Sequence, residues 1–208
     1  MSLHWPGCSA RRQCLASERV LSARDLNRAL LARQLLLERS PLTLTRALEA
    51  VGGLQTQYAP SGYVALWSRL RDFPRAALTT ALMNRDVIQG TLMRSTIHTV
   101  SRADYPVLLA GVRSARRDWW LRVVRHEAHG LDMDIAAGIV REKLSSGPAR
   151  AAELKALLTA RGLPAIAWSG LGLWLAMIRV PPSGTWERAS AREGDTGGRA
   201  DALATLSR

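Results

Sequence analysis

Residues 145–164 read Ser-Ser-Gly-Pro-Ala-Arg-Ala-Ala-Glu-Leu-Lys-Ala-Leu-Leu-Thr-Ala-Arg-Gly-Leu-Pro. Ser145-Ser146-Gly147-Pro148 is a turn, Ala151 to Thr159 keeps a helical spacing, and Gly162-Leu163-Pro164 stops it. Just upstream, Asp134 can cap a helix over Ile135 to Leu144. Helix, short turn, helix with Gly-Pro punctuation suits a helix-turn-helix or winged helix. Downstream, Ile178-Arg179-Val180-Pro181-Pro182-Ser183-Gly184-Thr185-Trp186 would supply a strand and a wing.

Working back toward the start, Ser22 and Asp25 can cap a helix from about Leu26, whose apolar positions Leu26, Leu30, Leu31, Leu35 and Leu37 keep period to Arg39. A second helix spans about Thr45 to Val51 and stops at Gly52-Gly53. Gln55-Thr56-Gln57 follows directly, in a loop or in the first turn of the next element. Short helices over Ala65 to Leu70 and Arg75 to Met83 flank Asp72-Phe73-Pro74. Thr91 to Val100 is β-branched and alternates, as a strand pair does. Tyr105 to about His126 reads as one long helix capped by Arg102 to Asp104 and carrying Arg113, Arg116, Arg117, Arg122 and Arg125. The expected fold is therefore mainly α with small β wings, in two tandem winged-helix units over 21–130 and 131–188. Residues 1–20 read as a disordered extension. Residues 189–208, rich in Ala, Arg, Gly, Asp and Thr and lacking aromatics, read as an atypical tail, poorly structured or forming one weak helix.

The chain has 208 residues, 47 % of them hydrophobic, enough to bury a sizeable core. Its 29 Lys+Arg against 17 Asp+Glu leave +12, a surplus that favours polyanionic partners, although the arginine and alanine bias of a GC-rich genome also raises charge. Only Cys8 and Cys14 are present, so no disulfide framework is implied and a reducing cytoplasm, in company with nucleoid DNA, is the expected compartment. With His4 they lack zinc-like spacing. The apolar run from Gly170 to Val180 is too short to span a membrane. His126-Glu127-Ala128-His129 has i, i+3 spacing, unlike a zinc protease helix, and Asp132 and Asp134 are accounted for by capping. Trp119-Trp120, Trp168 and Trp174 read most economically as core aromatics, with base stacking as the minority reading.

Five features occur in register: the opening helices, Gln55-x-Gln57, Ala65-Leu66-Trp67-Ser68-Arg69, Arg94-x-Thr96-x-His98, and Val180-Pro181-Pro182-x-Gly184-x-Trp186. Together they resemble the AlkZ/YcaQ-type winged-helix DNA glycosylases, over about Leu21 to Arg188. Members of that family are longer, so the resemblance implies a chain that breaks off inside or just after the second unit, by frameshift, premature stop or divergence. An apolar patch from Leu171 to Trp186 is then expected to stand exposed. The resemblance assigns catalysis to Gln55 and Gln57. Glutamine does not ionise, so it can only orient and polarise through its carbonyl oxygen and amide protons. That suffices for a purine alkylated at N7 or N3, which already carries the positive charge that breaks the N-glycosidic bond; one amide would accept from the attacking water and the other donate to sugar or phosphate oxygens. The alternative is structural, with both amides satisfying backbone groups after the Gly52-Gly53 stop. Arg69 within the signature, Arg94, His98 and Arg102 along a phosphate path, and Arg113, Arg116 and Arg117 on the long helix are the candidate DNA contacts. Duplex DNA is the expected partner; no metal, organic cofactor, membrane or obligatory protein partner is implied.

Overall fold

The computed structural model describes residues 20–188 and 202–206. Helix α1 (Ala23–Arg33) opens on a reciprocal cap: Ser22 Oγ accepts from the Asp25 N–H at 3.2 Å, and the Asp25 carboxylate accepts from the Ser22 N–H at 3.0 Å. It is shorter than its leucine spacing predicts, because Leu35 takes a left-handed φ of 56° and turns the chain out. Helix α2 (Leu44–Val51) starts at Thr43, whose hydroxyl accepts from the Arg46 N–H, and ends at the left-handed Gly52, as the Gly-Gly pair predicts.

The chain continues through β1 (Leu54–Gln55), α3 (Ala59–Arg69), α4 (Arg75–Met83), β2 (Val87–Thr91) and β3 (Ile97–Ser101). After α5 (Asp104–Val123) come α6 (Met133–Ser145), β4 (Ala149–Arg150), α7 (Ala151–Ala160), α8 (Ile166–Trp174), β5 (Met177–Val180) and β6 (Ala202–Thr205). From α2 to β3, and again from α6 to β6, the order is helix, strand, helix, helix, strand, strand. Within each half the first strand pairs with the third and the third with the second, all antiparallel. The halves join at β2 and β5, where Gly90 lies opposite Ile178. The resulting six-stranded sheet has the order β1-β3-β2-β5-β6-β4, which maps onto itself when the halves are exchanged.

Three apolar clusters follow from this plan. Leu48, Leu66, Leu78 and Leu82 fill the first half, and Ala136, Val140, Leu154 and Leu171 fill the second. The third lies where Tyr105 and Leu109 of α5 cover Ile88, Val100 and Ile178 of the sheet. Two glycines permit the close approach of α5. A Cβ at Gly90 would stand 2.6 Å from the Tyr105 ring, and one at Gly170 would stand 2.7 Å from the Trp120 indole. The Tyr105 hydroxyl donates to the Met177 carbonyl at 3.0 Å, which ties α5 to β5.

Several expectations change here. Helix α3 begins at Ala59, directly after the glutamines, with Pro60 in its first turn, where a missing N–H costs nothing. The strand pair is an offset hairpin: Thr91 ends β2 and only the second half of 91–100 is strand β3. Asp132, not Asp134, caps α6, its carboxylate accepting from the N–H groups of Asp134 and Ile135. Within the tail, residues 202–205 form neither a weak helix nor irregular chain but strand β6, held between β5 and β4. Isolated sequence could not show this, since a four-residue strand with little β-branching acquires its structure from the edges it joins. The apolar stretch from Leu171 is not an exposed patch. Leu171, Leu173, Leu175 and Ile178 are buried, and the Trp186 N–H donates to the Tyr63 hydroxyl at 3.1 Å with the two rings edge-on. The expected extension at 1–20 and the remaining tail positions lie almost wholly outside the described residues.

Candidate functional site

Strand β1 decides how the glutamines are displayed. Leu54 is buried, Gln55 exposed, Thr56 buried and Gln57 exposed. This period-two alternation puts both glutamines on one side and anchors the segment on the other. The anchor is a buried polar ladder: the Thr56 and Thr99 hydroxyls meet at 2.9 Å, and Gln89 Nε2 donates to Thr99 Oγ1 and to the Gly184 carbonyl, each at 3.2 Å. Gly62 at the start of α3 lets Thr56 in, since a Cβ there would lie 2.8 Å from the Thr56 methyl. Thr56 was not singled out from sequence. Its signal is the alternation itself, a small polar residue between two glutamines and in phase with Leu54.

The two glutamines are held differently. Gln57 Oε1 accepts the Ile97 backbone N–H at 3.0 Å, which engages one lone pair of its carbonyl, while the residue stays exposed. Gln55 is paired in register with His98 on β3, and its side chain remains exposed. His98 itself is 8 % exposed, with Nδ1 3.0 Å from the Thr96 carbonyl. As its strand parity predicts, it faces away from Ile97 and Thr99.

The candidate DNA contacts are dispersed. Arg94 is exposed in the turn between β2 and β3, with φ 52°, and Arg102 is exposed beyond the other end of β3, so the two flank the strand and do not meet. Arg69 is half-buried at the end of α3; its Nη1 donates to the Ala65 carbonyl at 2.9 Å and its Nη2 to Gln34 Oε1 at 3.5 Å, joining α3 to the end of α1. Burial pulls the Arg69 guanidinium below its ordinary value. On α5, Arg116 Nη1 donates to the Thr91 carbonyl at 3.3 Å, while Arg117 Nε donates to the Leu173 carbonyl at 2.8 Å and stacks on Trp174. Burial lowers Arg113 and Arg116 as well, with the like charge of Arg117 adding to the effect at Arg113. A guanidinium starts so high that all three stay charged. Of the tryptophans read as core, Trp120 is buried and Trp168 and Trp174 are partly buried, but Trp119 is exposed.

No match is found among curated proteins. Among solved structures, the Streptomyces sahachiroi DNA glycosylase AlkZ superposes with a TM-score of 0.63 at 16 % identity, over 85 % of this chain and 47 % of that one. The chain thus spans less than half the length of that protein, and at this identity the likeness is one of fold. A family model described as DNA glycosylase AlkZ-like matches residues 48–207, which carries the likeness past Trp186 and through β6. With the match covering most of its length, the chain belongs to the AlkZ-like DNA glycosylase family.

Proposed function

We propose that this chain binds duplex DNA through two tandem winged-helix units and hydrolyses the N-glycosidic bond of purines alkylated at N7 or N3, bulky and crosslinked adducts included. The recurring helix, strand, helix, helix, strand, strand order supports the winged-helix assignment. The observation that carries the chemistry is the pose of the glutamine pair: Gln55 at the end of β1 and Gln57 just beyond it are both exposed, and only the Gln57 carbonyl accepts the Ile97 N–H. Gln55 is the amide free to accept a hydrogen bond from water, and Gln57 presents donors to a sugar or phosphate oxygen. A cationic base leaves without protonation, so orientation of the water and charge stabilisation at the sugar are all the protein needs to supply.

The test is release of N7-methylguanine from duplex DNA. Gln55→Ala and Gln57→Ala should each slow it by about 10² or more while DNA affinity changes little. Normally folded variants that release the base at the unchanged rate would remove the assignment. A second reading, a DNA-binding protein without catalysis, is favoured by the backbone hydrogen bond that Gln57 makes. It predicts DNA binding that weakens steeply between about 50 and 200 mM salt, with no base release at all.

A further inference from the structure

A cavity of about 290 Å³ lies between the turn end of the β2–β3 hairpin, α7 and α8. Arg116 of α5, Lys155 of α7 and Arg179 of β5 converge on it from three elements, and among the described residues its lining contains no carboxylate. Arg116 Nη1 donates to the Thr91 carbonyl at 3.3 Å, and its Nε is buried with no hydrogen-bond partner among the described residues. Ala151, the first residue of α7, also lines the cavity. No side chain caps that helix, so its first N–H groups and the positive end of its dipole add to the attraction for an anion. Trp168 forms one wall, with Lys155 Nζ 5.3 Å from the ring centre. The same Trp168 and Lys155 border a second cavity of about 190 Å³ that is walled by Leu158 and Leu163.

Cations beside an aromatic wall and an apolar recess describe a ligand with a phosphate at one end and a flat ring at the other. The cavity lies at the lower end of the roughly 300–1,000 Å³ of small-molecule sites, enough for one nucleotide. Neither glutamine lines it: Ile97 and Arg179 face it from the side of the sheet opposite Gln55 and His98, and Gln57 touches it only through the backbone N–H of Ile97. We propose that this cavity binds a nucleoside phosphate, with the phosphate among Arg116, Lys155 and Arg179 and the base against Trp168. The phosphate belongs either to a free mononucleotide or to the 5′ end of a DNA strand. The inference does not depend on base excision.

Binding of dAMP, deoxyadenosine and a DNA hairpin with and without a 5′-phosphate to the full chain, followed by calorimetry and tryptophan fluorescence, tests it. The phosphorylated member of at least one pair should bind about ten- to a hundredfold more tightly than its unphosphorylated counterpart, the worth of a charge-assisted hydrogen bond or two. Lys155 is exposed, so Lys155→Glu should leave the circular dichroism spectrum unchanged and remove most of that preference. Trp168→Phe should weaken dAMP less than Lys155→Glu does. Preference in the dAMP pair identifies the free nucleotide as the source, and preference in the hairpin pair alone identifies the strand end. Absence of saturable binding by both phosphorylated probes, or a preference that Lys155→Glu leaves intact, overturns the proposal. Base release by the parent chain and by Gln55→Ala and Gln57→Ala, assayed in parallel, tests the glutamine reading, so failure of one reading is distinguishable from failure of the other.

Discussion

A single residue of strand parity separates an exposed glutamine from a buried threonine, and the chemistry of the candidate site rests on that parity. Thr56 between Gln55 and Gln57 makes its hydrogen bond inward, to Thr99, which leaves both amides outward. The same precision governs Tyr105, whose ring lies against Gly90 and whose hydroxyl donates to Met177. Burial pushes the Tyr105 phenol up to about 12. Below pH 10 the phenol is protonated whether the chain is folded or not, so it adds no pH dependence. Between about 10 and 12 the unfolded chain releases this proton and the folded one does not, so stability falls with rising pH, by about 1.4 kcal/mol per unit. Denaturation by urea at successive pH values should show this slope, and Tyr105→Phe should abolish it while lowering stability at neutral pH by about 1 kcal/mol. A variant with the same alkaline slope would place the titration elsewhere.

Among the elements, α1 and α5 show why amphipathic spacing alone does not locate a buried face. The leucines of α1 recur as a helix requires, yet Leu26 is 52 % and Leu30 62 % exposed and no residue of the helix is buried. Its ordering comes from the Ser22–Asp25 cap and the contact of Gln34 with Arg69. Such an element opens at low free energy. Hydrogen exchange should therefore release the α1 amides first, and Ser22→Ala should speed them further, at a local cost of about 1 kcal/mol, without moving the global melting temperature. Protection of α1 equal to that of α6 would contradict this. Helix α5 is the reverse case. Its arginines look like one basic face in sequence, but Arg116 and Arg117 spend part of their donor capacity on the Thr91 and Leu173 carbonyls.

For the whole molecule, the joint between the halves is the decisive feature. Strands β2 and β5 share the Gly90–Ile178 pair, α5 bridges both halves of the sheet through Tyr105, and Trp186 returns from the second half to Tyr63 of the first. These connections couple the two units, which the sequence divides cleanly near residue 130. Thermal unfolding should accordingly be one transition, coincident by far-ultraviolet circular dichroism and by tryptophan fluorescence, because Trp120 and Trp186 report from different clusters. Two separated transitions would show that the halves melt independently. Gly90→Ala, which drives a methyl into the Tyr105 ring, is the substitution expected to weaken the joint most directly, by about 1–3 kcal/mol.

By itself the sequence determined what depends on short-range chemistry. Gly52 ended α2, Pro74 preceded α4, helical spacing marked α7, and the Gln55-x-Gln57 signature in its surroundings pointed to the family. Only the tertiary structure decided that residues 202–205 are a strand, that α1 leaves Leu26 and Leu30 exposed, and that Arg116, Lys155 and Arg179 converge on one cavity. The reason is range. Caps, turns and helical periods act over a few residues, whereas a short strand, a burial face and a cluster of cations are made by partners far along the chain, which fold brings together and spacing does not encode.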